Sequence, residues 1–345
     1  MKVACTLAFA LLFATFVRAS GAKDWLFVTT NWNEYGNEQV LLIDPEKNQI
    51  RTVWSGGTEL DAIVSSDAAR LYVTYIDSQS EWLAVTDIST GAVLQRVEIP
   101  QPIHWIFPTA PAMVISPEGR WLHLLKTNYS TGSNDYFLMT FDTKAEQFVP
   151  GEQVLSGCAG PRLIPRAGAA TPLVLCGGVT PKQASDDDSV LRFGNIQNFA
   201  FGRGITENLL YIAGFDGRIR AVDLSTHEIT QTSNDAPLRH RRFMLSSGTL
   251  SPDGRLWYLP IKIPGNGEQD VAQILVFDTQ AMSRATVITP SGPFSGLALS
   301  SDGRRLYASQ PDLKNIMVID TDTRQTVKII SLGAKPSIIF TVKAP

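Results

Sequence analysis

Apolar residues in this chain fall in short runs with period-two alternation, separated by clusters of Gly, Pro, Asp, Asn, Ser and Thr. No stretch after residue 22 carries apolar positions at helical spacing, so the pattern predicts an all-β protein built from short strands. One kind of run recurs, a hydrophobic strand that ends in Asp and enters a polar turn. It is seen at Val40 to Asp44, Leu83 to Asp87, Leu138 to Asp142, Ile219 to Asp223, Ile274 to Asp278 and Met317 to Asp320. Successive aspartates are 43, 55, 81, 55 and 42 residues apart, and the gap of 81 reads as two units, one without its marker.

A second signature precedes the first at a nearly constant offset. It is a turn followed by an alternating strand, as at Ser66-Asp67, Ser116-Pro-Glu-Gly119, Ser251-Pro-Asp-Gly254 and Ser301-Asp-Gly303. Asp-Gly or Glu-Gly ahead of such a run signals a hairpin. Each unit is therefore a meander of four short strands, and repetition at about 46 residues predicts a β-propeller. Counting units predicts seven blades in one domain spanning residues 23–345. Trp25 to Thr30 reads as the second strand of a blade, and Ser337 to Val342 reads as its first strand. The two ends of the chain would then complete one blade and close the ring, removing exposed strand edges.

Residues 1–22 read as a secretory signal peptide. Lys2 supplies the positive start, Val3 to Val17 form an apolar stretch, and small residues follow Arg18. The stretch is shorter than the roughly 20 residues that span a bilayer. The expectation is a periplasmic or secreted protein with no stable membrane anchor after cleavage. Composition fits a folded domain, with 44% hydrophobic and 18% charged residues. The formal charge of -3 and the lack of a long basic run exclude the electrostatic footprint of a nucleic-acid binder.

Cys158 and Cys176 are the cysteines that remain after the signal. If Gly160 to Ile164 and Thr171 to Cys176 pair through a turn near Ala167, residues 158 and 176 face each other directly, close enough for a disulfide. Two buried free thiols are the alternative. The bridge would clamp the fourth unit, residues 158–195, which has no strand-Asp-Thr marker.

The strand-Asp-Thr and Asp-Gly-Arg-Leu-Tyr signatures resemble the YVTN/YncE-like seven-bladed propellers over nearly the whole mature chain. A weaker resemblance, to the heavy (large) subunit of amine dehydrogenases, rests on two segments. One runs from Ser116-Pro-Glu-Gly119 through Phe141-Asp142-Thr to the paired cysteines and Gly177-Gly178, and the other from Leu299 through Asp320 to Lys335-Pro336. That resemblance implies a non-catalytic scaffold for a small light subunit, which holds the tryptophan-derived quinone. It places no catalytic residue and no cofactor on this chain. The segment Val85 to Leu94 is similar to a docking repeat of quinoprotein propellers but lacks the tryptophan, which argues against a pyrroloquinoline quinone site.

Candidate chemistry is sparse. No His-Glu-x-x-His and no Gly-x-Ser-x-Gly occurs. Trp32 and Glu34 fall in one probable loop and His104 and Trp105 in another, and aromatics on loops are frequent partner anchors. Arg239, Arg241 and Arg242, around His240, form the one dense basic patch, suited to carboxylates or an acidic partner. Glu34, Glu59 and Asp61 are the acids to inspect on loops leading into strands. Asp186 to Asp188 read as a solvated loop, His123 as a packed strand residue, and Asn128-Tyr-Ser130 as a glycosylation sequon in a eukaryotic host. The function expected is binding or scaffolding of a protein partner or small ligand at a propeller face. The alternative is a metal-dependent hydrolase or lactonase at the central funnel.

Overall fold

The computed structural model describes residues 24–30, 38–77, 80–100, 113–128, 135–151, 153–155, 158–166, 169–178, 190–194, 200–203, 208–214, 216–234, 242–243, 248–263 and 271–344. Among them every regular element is a strand. The signal peptide expected at residues 1–22 lies outside the described residues. No helix among the described residues is long and apolar enough to cross a membrane.

The strands fall into consecutive sheets. The first holds β1 (Asp24–Thr30), β2 (Gln39–Asp44) and β3 (Gln49–Ser55), and the second β4 (Thr58–Val64), β5 (Arg70–Asp77), β6 (Ser80–Asp87) and β7 (Val93–Glu98). The third holds β8 (Met113–Ile115), β9 (Trp121–Asn128), β10 (Asp135–Asp142) and the short β11 (Gln147–Phe148) and β12 (Gln153–Leu155), which both pair with β10. Next comes an irregular sheet of β13 (Ala159–Ile164), β14 (Leu173–Gly178) and β15 (Val190–Gly194). After it, β16 (Ala200–Arg203), β17 (Leu209–Ala213), β18 (Ile219–Asp223) and β19 (Ile229–Thr232) form another four-stranded sheet. The following sheet contains β20 (Arg242–Phe243), β21 (Thr249–Leu250), β22 (Leu256–Ile263), β23 (Val271–Asp278) and β24 (Ser283–Ile288). The last is β25 (Gly296–Leu299), β26 (Arg305–Gln310), β27 (Asn315–Asp320) and β28 (Thr326–Ser331). The final strand, β29 (Pro336–Lys343), pairs with β1 in the first sheet, with Phe340 opposite Phe27 and their rings stacked at 5.4 Å.

This is an all-β propeller arrangement, and it corrects the expectation of seven blades. Six sheets are antiparallel blades of four or more strands, whereas the unit at 158–195 is a three-stranded sheet whose β15 runs parallel to β14. The cause is legible locally. The strand-Asp turn that folds each third strand back into an antiparallel fourth is missing there.

Elsewhere the markers do physical work at the turns. Asp44, Asp87, Asp142, Asp223, Asp278 and Asp320 each accept backbone N–H bonds from residues two or three positions on. Such Asx turns reverse the chain without a partner strand. The preceding hairpins are pinned by serine. Ser65, Ser251 and Ser300 donate to Asp67, Asp253 and Asp302, while their Oγ atoms accept the N–H of residues 70, 256 and 305. The threonine after the marker ties the two turns together, as Thr279 Oγ1 donates to Gly254 O at 2.8 Å and Thr321 Oγ1 to Gly303 O at 2.8 Å.

Apolar faces of neighbouring sheets pack into seams. Phe27, Leu42, Leu71 and Val73 join the first and second sheets, and Leu83, Leu122, Leu124 and Phe141 join the second and third. Leu26, Ile43, Tyr307, Ile316 and Ile339 join the last sheet to the first. Cys158 and Cys176 form a disulfide with Cα atoms 5.0 Å apart, buried among Val114, Leu125, Leu138, Leu163 and Val174. The bridge occurs, but the expected register does not. Arg162 faces Leu175 and Ala159 faces Gly177, with a bulge between, so the cysteines are offset along the ladder and the bulge brings them together.

Candidate functional site

Strand direction gives each blade two unlike ends. The serine-pinned hairpins and the Asp turns lie at one end, closed by the hydrogen bonds above and by ion pairs such as Arg120–Asp142 at 3.2 Å and Arg255–Asp278 at 3.3 Å. Among these turns the carboxyls of Asp87, Asp142, Asp223 and Asp320 are held in the charged form. The Ser89 hydroxyl and the Thr90 amide bring Asp87 down to about 2, and the Thr323 amide with Arg305 does the same for Asp320. Adjacent sheets meet in this orientation, since Arg51 of β3 donates to Ser89 O at 2.7 Å and Lys328 Nζ to Pro45 O at 2.6 Å.

The opposite end is where the longer connections leave. The segments at 31–37, 101–112, 129–134, 235–241 and 264–270 all follow strands that run toward it. Trp32, Glu34, His104, Trp105, Arg239, His240 and Arg241 lie in these segments, outside the described residues, and Asp186 to Asp188, at 179–189, are outside them too. The topology nevertheless brings the strands flanking the three candidate segments out at the same end of their sheets. Arg242 is in β20, its backbone paired with Lys262.

At this end of the strands a group of polar residues caps the seam between the second and third sheets. Asp61, Glu81 and Lys126 each lie two residues along their strands from Ile63, Leu83 and Leu124, which belong to the seam, so all three belong to the seam-facing register of the pleat. Glu81 is 5% exposed and pairs with Lys126 across the seam. The Glu81 carbonyl accepts the N–H of Ile99 at 2.9 Å, at the point where the chain departs toward residues 101–112. A buried carboxylate and ammonium are tolerated only as a pair. This pair therefore closes that end of the seam, beside the strand end at Ile99.

One expectation is corrected here. Glu59 and Asp61 are not on a loop. They sit in β4, where a bulge between Thr58 and Asp61 interrupts the pairing, and Asp61 Oδ1 accepts the N–H of Ala62 at 2.8 Å. Asn128 of the sequon ends β9, paired with Asp135. His123 is a packed strand residue as read, fully excluded from solvent, with Nδ1 3.0 Å from Thr140 Oγ1. Burial lowers its pKa to about 4. His227 takes a left-handed conformation in the turn after Asp223. Sequence reading passed over Glu81 and Lys126 because both lie inside strands. The available signal was a charge at an inward position of an alternating run, in Glu81-Trp-Leu83-Ala-Val85 and Leu122-His-Leu124-Leu-Lys126.

Among the described residues no three His, Cys, Asp or Glu side chains converge as a metal's ligand set would require. Tyr75, packed against Trp54 at 5.2 Å, is the aromatic at the neighbouring seam on the same end, and burial raises its pKa.

A model of the SMP-30/gluconolactonase/LRE-like region matches residues 182–330, less than half of the chain. No curated protein matches this sequence. Among solved structures, a candidate 6-phosphogluconolactonase from Bacteroides uniformis superposes with a TM-score of 0.59 at 13% identity, covering 94% of this chain and 100% of that one. A second one, from Bacteroides fragilis, gives 0.58 at 13% identity over 93% and 98%. AztD from Citrobacter koseri gives 0.52 at 14% over 93% and 98%. At such identity the likeness speaks for architecture alone, and what the sheets, seams and neighbours jointly identify is a β-propeller.

Proposed function

We infer that this chain is an exported binding propeller that engages a protein partner or small ligand at its loop end and carries neither catalytic residue nor cofactor of its own. The observation that supports this reading most is the asymmetry of the blades. One end is shut by Asx turns, serine pins and Arg–Asp pairs, while the other emits the connections that carry Trp32, Glu34, His104, Trp105, Arg239 and Arg241. Pairing of β1 with β29, together with the seam between the last and first sheets, favours a closed ring, which would hold these connections around one mouth. The buried disulfide suits an oxidising compartment and so an extracytoplasmic site of action. Service as the heavy-subunit-like member of an amine dehydrogenase-type complex is one form of this role.

A funnel-site hydrolase is the second reading, favoured by the gluconolactonase-like match over residues 182–330. A direct comparison separates the two. The mature protein is supplied with glucono-δ-lactone, with and without calcium, zinc or manganese, and acid release is followed by pH-stat. In parallel, partners crosslinked in the native host are compared between wild type and a Trp32→Ala/Trp105→Ala variant. The binding role expects no metal-dependent hydrolysis, and a crosslinked partner lost in that variant but retained in Arg120→Ala at the opposite end. Hydrolysis abolished by a chelator would overturn it in favour of the enzyme.

A further inference from the structure

His123 has no place in the binding role, yet its surroundings are unusual. It lies on β9 between Val114 of β8 and Thr140 of β10, at 0% exposure. It alternates with Leu122 and Leu124, which face the second sheet, so it shares the face of Leu125, turned toward the disulfide-bonded sheet. That seam consists of Val114, Leu125, Leu138, Leu155, Cys158, Leu163, Val174 and Cys176. Thr140 satisfies Nδ1, while Nε2 is buried with no hydrogen-bond partner among the described residues. The contact suits either neutral tautomer, since the Thr140 hydroxyl can donate to Nδ1 or accept from it, whereas a doubly protonated ring would leave a charged Nε2–H in an apolar seam with no acceptor.

We propose that His123 makes the seam between the β8–β12 blade and the disulfide-bonded sheet an acid-operated joint, which opens ahead of the other seams when its imidazole takes up a proton.

The charged groups around it do not offset that cost. Glu118, in the turn before β9, is the carboxylate that favours the charged ring, and burial outweighs it. From β10, Asp142 is engaged by the amides of Lys144 and Ala145 and by Arg120, and Tyr136 lies toward the far end of the strand. From β13, Arg162 interacts electrostatically with Tyr136 at this seam, and as a cation it offers a protonated ring no relief. From β14, Val174 and Cys176 present no charge.

The direction of the linkage follows. The closed seam holds the ring neutral down to about 4, whereas an opened seam lets it protonate near its ordinary 6.5. Above 6.5 the joint gains nothing from opening, and between those two values the open population rises roughly tenfold per pH unit. This seam yields first because its second wall is the one irregular sheet, three strands ending in a parallel pair. The Cys158–Cys176 bridge does not titrate, so that sheet keeps its covalent clamp and the joint recloses.

Hydrogen exchange of the mature chain at pH 7, 5.5 and 4.5, corrected for intrinsic rates, tests this. Peptides from β8–β10 and β13–β14 are expected to lose protection steeply while β25–β28 retain theirs. His123→Leu and His123→Gln are expected to abolish the steep loss. An unchanged acid response in either folded variant, or simultaneous loss in all sheets, overturns the proposal. So does an NMR titration that finds His123 protonating near 6.5, a measurement that stands whether or not the variants fold.

Discussion

Replacing Lys126 with Met leaves the Glu81 carboxylate in a seam where the residue is 5% exposed, without the cation that makes its burial tolerable. Removing one member of a buried pair costs about 3–5 kcal/mol. The Lys126 side chain keeps 14% of its surface, so water reaches the pair from one side and the low end of that range, about 3 kcal/mol, applies here. Glu81→Gln strands the ammonium instead, with a smaller loss because Lys126 can turn toward solvent. Glu81→Leu combined with Lys126→Met restores an apolar seam and is expected to recover most of the stability. Guanidinium unfolding followed by tryptophan fluorescence reads this directly, since Trp82 is adjacent to Glu81 and Trp121 opens the strand that carries Lys126. The coupling energy from the cycle should exceed about 1.5 kcal/mol. Single variants within about 0.5 kcal/mol of wild type, with additive effects, would refute the argument and reduce the pair to a surface contact.

Cys158→Ser with Cys176→Ser removes a bridge over 18 residues and should lower unfolding stability by about 3 kcal/mol, with the difference from wild type absent when both are assayed under reducing conditions. Gly57→Ala places a methyl at φ +64, 2.5 Å from Tyr75 Cδ2 and 2.9 Å from Ile76 O, so a drop in melting temperature with quenched packing of Tyr75 is expected. Phe340→Ala removes the ring stacked on Phe27 and is expected to cost about 2 kcal/mol and to raise exchange in β1 and β29 before other strands. Asp320, lowered to about 2, contributes stability that is fully present above the ordinary 3.8 and is lost as pH falls through 2. An acid titration of Asp320→Asn should therefore lose part of the limb below pH 4 and leave the region from 6.5 to 4 unchanged.

Much of the architecture was legible because its causes are local. An Asp that closes a turn with the amides two and three residues on, or a serine that pins a hairpin, needs no distant partner, so the six markers announce six blades in the sequence. The same locality explains the failure at 158–195. With no marker present, period alone suggested a seventh blade, while the parallel pairing of β15 with β14 depends on where a distant segment lands. The cysteine pair was readable as a bridge, but its register was not, because the irregularity between Ala159 and Arg162 shifts the ladder in a way that no spacing records.

The alternation of apolar residues and the turn chemistry by themselves determined that this chain makes short strands, folds them into four-stranded sheets and repeats them. Pairing of the two chain ends, Phe27 opposite Phe340, was also readable in advance. Only the tertiary structure decided which strand ends share a face and that Glu81 and Lys126, 45 residues apart, become one buried pair. The physical reason is that strand and turn formation are settled within a few residues. Burial and charge pairing across a seam depend on which surfaces the assembled sheets remove from water.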